Sequence, residues 1–228
     1  MNIPVGPTFF TRDQLALSPD ELRTVRDFHE LYFRRWANGA DTINLSWFGH
    51  LILKCPLDLW IYQELLVQTR PDFVVETGTF AGGSAMYLAM LFDQIGHGEV
   101  ITIDTESRAD RPSHPRIEYL QGSSIDSSVI ARVQEKVGGK RAMVILDSDH
   151  RAPHVYEELV TYSPLVKTGD YLIVEDTNVN GHPVLPDFGP GPREAVDKFL
   201  SENNGFVIVQ DCERFLMTLN PRGYLRRT

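Results

Sequence analysis

Five short runs of aliphatic and β-branched residues recur after residue 72: FVVET (73–77), VITID (100–104), IEYLQG (117–122), AMVILD (142–147) and YLIVED (171–176). All but the third are nearly all apolar, the pattern of strands covered on both faces. Helical or loop stretches separate them, so the runs predict an α/β fold built on a parallel sheet with right-handed crossovers. Two further runs, GFVIVQD and RFLMTLN, have too few residues between them for a helix and predict an antiparallel hairpin. The expected architecture is a seven-stranded sheet with an antiparallel C-terminal hairpin. Its crevice lies at the carboxyl ends of the parallel strands.

The first 60 residues read differently. In SPDELRTVRDFHELYFRRWA, Ser18 is an N-cap, Pro19 takes the first helical position and Glu21 follows three residues after the cap. Leu22, Val25, Phe28, Leu31 and Tyr32 then recur at helical spacing, which predicts an amphipathic helix. A second helix is expected from about Leu57, ending before Pro71. We divide the chain into an N-terminal helical extension over 1–60, acting as a cap or oligomerisation segment, and a ligand-binding domain over 61–228. With 42% hydrophobic residues, 228 residues can bury a substantial core.

Charge excludes some partners. Lys and Arg total 22 against 31 Asp and Glu, a net charge of −9, and basic residues cluster only in the closing RGYLRRT. No nucleic-acid or anionic membrane surface is expected. The opening MNIPVGPTFFTRDQ lacks the basic and apolar regions of an export signal, and no long apolar stretch occurs, so a cytoplasmic protein is expected. Cys55 and Cys212 are two isolated cysteines, read as buried thiols.

The first strand runs into ETGTFAGGSA, which departs from the G-x-G-x-x-G of dinucleotide sites. Phe80 and its neighbours stand where the middle glycine would be, and Glu76 would repel phosphate. An acid there suits a sulfonium nucleoside with an amino-acid end, S-adenosylmethionine, better than NAD or ATP. Glu76, Thr77, Gly78, Thr79, Gly82, Gly83 and Ser84 are the candidate residues of this loop. Asp104, ending the second strand, is placed to accept ribose hydroxyls, and Gly122, Ser123 and Ser124 to meet an adenine edge.

The fourth and fifth strands carry Asp147, Asp149 and His150, and Glu175, Asp176 and Asn178. Carboxylates converging at adjacent strand ends repel one another unless a cation intervenes. Oxygen donors without thiolate indicate Mg²⁺ or a similar divalent ion. His150 adjoins this group and is a candidate proton acceptor, with His154 one helical turn on as a supporting residue. The Pro- and Gly-interrupted stretch 177–192 is a candidate lid, with His182, Asp187 and Phe188 facing the substrate. Trp47 and Phe48 serve equally as cleft wall or core.

Over about residues 60–228 the sequence resembles the cephalosporin hydroxylase (CmcI-like) family of S-adenosylmethionine-binding proteins, relatives of the metal-dependent small-molecule O-methyltransferases. ETGTFAGGSA, LDSDHRAPHVYEEL, GDYLIVEDTNVNGHPVLPDFGPGPREAVDKFL and FLMTLNPRGYLRR carry the resemblance. It implies a Rossmann-like class I methyltransferase fold, S-adenosylmethionine on the first three strand ends, and Mg²⁺ held by an acid after the fourth strand plus the Glu175–Asp176 pair. Both Asp147 and Asp149 are available as that acid. Asp149 is favoured as ligand and catalytic group, with Asp147 orienting it or the methyl donor. The resemblance also implies a homo-oligomer. No iron, haem or flavin signature supports the hydroxylation in the family's name.

Two function classes follow. The first is an O-methyltransferase acting on a hydroxyl of a small natural product or sugar, in antibiotic or other secondary metabolism; the second is a non-catalytic S-adenosylmethionine-binding partner of a biosynthetic complex. The complete acid set favours the enzyme.

Overall fold

The computed structural model describes residues 17–37 and 45–228. The expectation about the opening residues, and the parts of the 1–60 extension before residue 17 and over 38–44, lie outside the described residues. Helix α1 (Pro19–Ala37) precedes a two-stranded ribbon, β1 (Ser46–Trp47) and β2 (His50–Leu51), and α2 (Pro56–Thr69). The main sheet and its helices follow as β3 (Phe73–Thr77), α3 (Gly83–Ile95), β4 (Glu99–Asp104), β5 (Ile117–Gln121), α4 (Ser127–Val137), β6 (Ala142–Leu146), α5 (Ala152–Tyr162), β7 (Tyr171–Val174), α6 (Pro192–Glu202), β8 (Phe206–Ile208) and β9 (Tyr224–Arg227).

The sheet order is β5-β4-β3-β6-β7-β9-β8. The five strands from β5 to β7 pair in parallel, and β9 pairs antiparallel with both β7 and β8. This is the seven-stranded Rossmann-like sheet that the apolar runs predict. Strand order reverses between β3 and β6, which opens a crevice above their carboxyl ends.

Alternation along each strand explains the two layers. Phe73, Val75, Val144 and Leu172 face α4, α5 and α6, whose Val133, Leu159 and Phe199 complete that core. Val74, Met143, Ile145 and Ile173 face α2 and α3, where Leu66, Leu88 and Phe92 meet them. Neither face is wet, hence strands without polar alternation.

One element differs from expectation. The partner of β8 is YLRR, not RFLMTLN. The apolar residues of the latter are spent elsewhere: Met217 and Leu219 pack with Cys55, while Asp58 accepts from Leu219 N at 2.9 Å and Thr218 Oγ1 at 2.5 Å. Gly223 then permits β9 to begin beside β7, since a Cβ there would lie 2.1 Å from the Val174 carbonyl oxygen.

Helix α1 starts as the sequence predicts. Glu21 Oε2 accepts from Ser18 N at 2.8 Å and from Ser18 Oγ at 2.7 Å. Tyr32 and Phe33 pack on the Cys55–Met217–Leu219 cluster, but Leu22, Phe28 and Leu31 are exposed. Both cysteines are buried and free. Among the described residues, no helix is long and apolar enough to cross a membrane.

Candidate active site

A cleft of about 700 Å³ opens at the carboxyl ends of β3 to β7. Leu53, Phe80 and Ile103 give it apolar surface; Asp104, Glu106, Asp147, Asp149, His150 and Asp176 give it charge.

The loop after β3 forms one wall. Gly78 has φ of +86° and its backbone lies so close to β6 that a Cβ would sit 1.8 Å from the Asp147 carbonyl oxygen. Gly83 is equally crowded, its missing Cβ falling 2.1 Å from Leu51 O. These glycines therefore admit neighbouring backbone. Gly78 lines the cleft, whereas Glu76, Thr77, Thr79 and Ser84 are buried and, with Gly82 and Gly83, are not among its lining residues. Glu76 is fully buried, with Oε2 accepting from Thr102 Oγ1 at 2.7 Å. Burial raises its carboxyl, with Lys54 the main opposing influence.

Asp104 lines the cleft, but its oxygens are already engaged. Oδ2 accepts from Phe80 N at 2.8 Å and Arg111 Nη2 at 2.9 Å, and Oδ1 from Glu106 N at 2.9 Å. It thereby fixes the tip of the glycine loop and turns Thr105 and Glu106 into the cleft. Gly122, Ser123 and Ser124 line the same end. Ser124 Oγ and Ser148 Oγ each lie 3.1 Å from His154 Nε2, and Ser148 Oγ donates to the buried Glu158 at 2.7 Å. Hydrogen bonding to Glu158 raises the His154 pKa.

At the other end Asp147, His150 and Asp176 bring one ligand atom each within 4.8 Å of one another. His150 Nε2 is 3.3 Å from Asp176 Oδ2. Asp176 has φ of +53°, uncommon for a residue with a side chain, and Asn220 Oδ1 secures it by accepting from its N–H at 3.0 Å. Burial pushes its carboxyl up to about 6, with Asp147 adding to the rise and His150 opposing it.

The group brought together thus differs from Asp149, Glu175 and Asp176. Asp149 is an exposed cleft residue whose Oδ1 accepts from Arg151 N at 2.9 Å. Glu175 is turned into the interior, where its Oε1 accepts from Lys54 Nζ at 2.5 Å and Tyr62 Oη at 2.8 Å. Burial, reinforced by Asp147, raises the Glu175 carboxyl despite Lys54. Burial works against the Lys54 charge, yet Asp147, Glu175 and Glu76 together outweigh it and hold the ammonium above its ordinary range. Two carboxylates and an imidazole at one cleft end are a donor set that fits a divalent cation.

The expected lid residues lie elsewhere. His182 Nε2 and Asn180 Nδ2 contact Glu194 Oε1 at 2.9 and 3.0 Å, and Gly191 N donates to Glu194 Oε2 at 2.7 Å, stapling the loop onto α6. Phe188 lies under the Arg151 guanidinium, 5.3 Å from its ring centroid, and Asp187 is exposed. Trp47 packs edge-on against Tyr87 at 4.9 Å, while Phe48 is 74% exposed; Leu53, not this pair, reaches the cleft. Asn178 is buried against His29. Sequence reasoning missed Lys54, Tyr62, Glu106 and Asn220. Only Lys54 carried a signal, as the single charge within the apolar run LILKCP.

Residues 41–228 match the family model described as Rhamnosyl O-methyltransferase/CmcI. A rhamnosyl O-methyltransferase of Mycobacterium tuberculosis (strain ATCC 25618 / H37Rv) is 40% identical over 211 residues, covering 86% of this chain and 83% of that protein. The Mycobacterium leprae (strain TN) protein of the same name is 36% identical over 209 residues, with 88% and 89% covered. Among solved structures, one described as cmcI-D160 Mg-SAM has a TM-score of 0.64 at 24% identity, covering 85% of this chain and 83% of that one. The O-methyltransferase TomG from Streptomyces achromogenes has a TM-score of 0.53 at 18% identity, with 84% and 82% covered. These two structural likenesses extend to the fold.

Proposed function

The chain belongs to the rhamnosyl O-methyltransferase/CmcI family and is an O-methyltransferase, and from that premise we propose that it transfers the methyl group of S-adenosylmethionine to a hydroxyl of a sugar, a rhamnosyl unit being the first acceptor class to try. We assign the acceptor to glycosylated natural products of secondary metabolism. The observation that carries the reading is the meeting of Asp147, His150 and Asp176 in the same cleft as Asp104, Glu106 and Gly122 to Ser124.

The nucleoside end of the methyl donor belongs at Gly122, Ser123, Ser124 and the Asp104–Glu106 turn, with the methionine end along the glycine loop. Glu76, Thr77, Thr79, Gly82, Gly83 and Ser84 serve by holding that loop in shape. Asp147, His150 and Asp176 hold a divalent cation, Mg²⁺ or similar, and Glu175 stands behind them. Such an ion supplies Lewis acidity that lowers the pKa of the acceptor hydroxyl. Asp149, exposed on the cleft wall beside this group, takes the hydroxyl proton. The sulfonium is already activated, so the protein contributes mainly by positioning. The accessory-protein reading finds no support in relatives that carry the enzyme's name at 40% identity.

Incubation with S-adenosylmethionine, Mg²⁺ and a rhamnoside, read by mass spectrometry, should give a singly methylated product that a chelator abolishes. Asp149→Asn should lower kcat by about 10²-fold or more with little change in cofactor affinity. Transfer that persists at full rate in the chelator would exclude the cation's role, and a fully active Asp149→Asn enzyme would exclude that residue as the base. We further propose that residues 1–60 form a cap that associates with a second copy through α1.

A further inference from the structure

Three strand ends of the cleft floor converge on one ammonium. Lys54 comes from the segment between β2 and α2, and its side chain is 3% exposed. Its Nζ donates to Asp147 Oδ2 and to Glu175 Oε1, both at 2.5 Å. A third acid, Glu76, presents its Oε1 at 3.9 Å from the same nitrogen. That oxygen is buried and has no hydrogen-bond partner among the described residues. Burying such an acceptor unmet is unfavourable, and at 3.9 Å the Lys54 ammonium is within a short movement of donating to it.

Asp147 belongs to two groupings at once. It holds Lys54, and it also forms the triangle with His150 and Asp176. Glu175, covalently next to Asp176, is committed to Lys54 and Tyr62 and so is withheld from that triangle. An ammonium and a divalent ion that share the Asp147 carboxylate repel each other, and burial leaves that repulsion weakly screened.

We propose that Lys54 is an exchangeable internal counter-cation: it holds Asp147 and Glu175 as seen here, and on binding of a divalent ion it moves to Glu76 Oε1 and releases both acids. This rests on the metal-assisted reading of the site. Lys54 acts as a positioning residue and does not touch the substrate.

The test is Mg²⁺ binding by calorimetry to the full chain and to Lys54→Met. Removing the competing charge should tighten Mg²⁺ binding by about tenfold or more. A lysine serving only as a structural tie predicts weaker or unchanged binding, and either result overturns the proposal. Since Lys54→Met leaves buried acids unpaired and can fail to fold, the wild-type protein supplies a second readout. With ¹³C at lysine Cε, one of the five lysine resonances should shift on Mg²⁺ addition. Mg²⁺ binding without such a shift overturns the exchange alone. No Mg²⁺ binding by either protein overturns the metal-assisted reading along with it.

Discussion

His29 is 5% exposed on α1, and its Nε2 lies 2.9 Å from Asn178 Nδ2, which fixes that nitrogen as the acceptor of a neutral ring. Burial lowers its pKa to about 4. Between about pH 6.5 and pH 4 the unfolded chain therefore binds a proton that the folded chain does not, and stability falls as pH falls through that window. The full loss is about 3 kcal/mol at most. Asp176, raised to about 6, contributes with the opposite sign, so the histidine is isolated by difference. Chemical denaturation at several pH values should give a flatter acid limb for His29→Gln than for wild type; parallel limbs would refute the assignment. Single residues were only partly legible in the sequence. A carboxylate can be placed at a strand end from the apolar run before it, but the partner of each oxygen cannot. Asp104 turned out to be occupied by Phe80 N and Arg111, and Glu175 by a lysine 121 residues away in the chain.

Whole elements were read more successfully, because a strand covered on both faces leaves a continuous apolar signature in one stretch of chain. That signature fails where an apolar segment buries itself without pairing. In RFLMTLN, Met217 and Leu219 are buried by Cys55 and Asp58 takes the backbone, an arrangement set by a helix some 160 residues earlier. Periodicity likewise gave α1 correctly, with its cap, but not how much of its apolar face would be covered. His29, Tyr32 and Phe33 face inward, whereas Phe28 and Leu31 are 51% and 46% exposed. If α1 is the contact between two copies, Phe28→Glu combined with Leu31→Glu should reduce the sedimenting mass to that of one chain while methyl transfer by each chain persists. A wild-type protein that already sediments as a monomer would end that proposal. Phe28 and Leu31 are exposed and are not among the residues lining the cleft, so the substitutions test association separately from chemistry.

At the scale of the molecule, the cleft follows from topology: β4 and β5 lie to one side of β3, and β6 and β7 to the other. Fold and crevice were therefore legible together, while the cleft floor was not, because Lys54, Tyr62 and Asn220 reach it from segments flanking the parallel strands. Strand β9 binds this floor to the sheet. It is hydrogen-bonded on both edges, to β7 and to β8, and its Tyr224 hydroxyl donates to Asp58 Oδ1 at 2.7 Å. The turn before it carries the exposed Phe215 and Leu216. A chain divided between those two residues would consequently be a two-part protein whose smaller part is a self-addressed insert: a synthetic peptide of residues 216–228 should slot between two strands that already frame its place, much as a donated strand completes an open sheet. Mixed with the remainder of the chain, that peptide should restore methyl transfer in proportion to its occupancy, and a scrambled peptide should restore none.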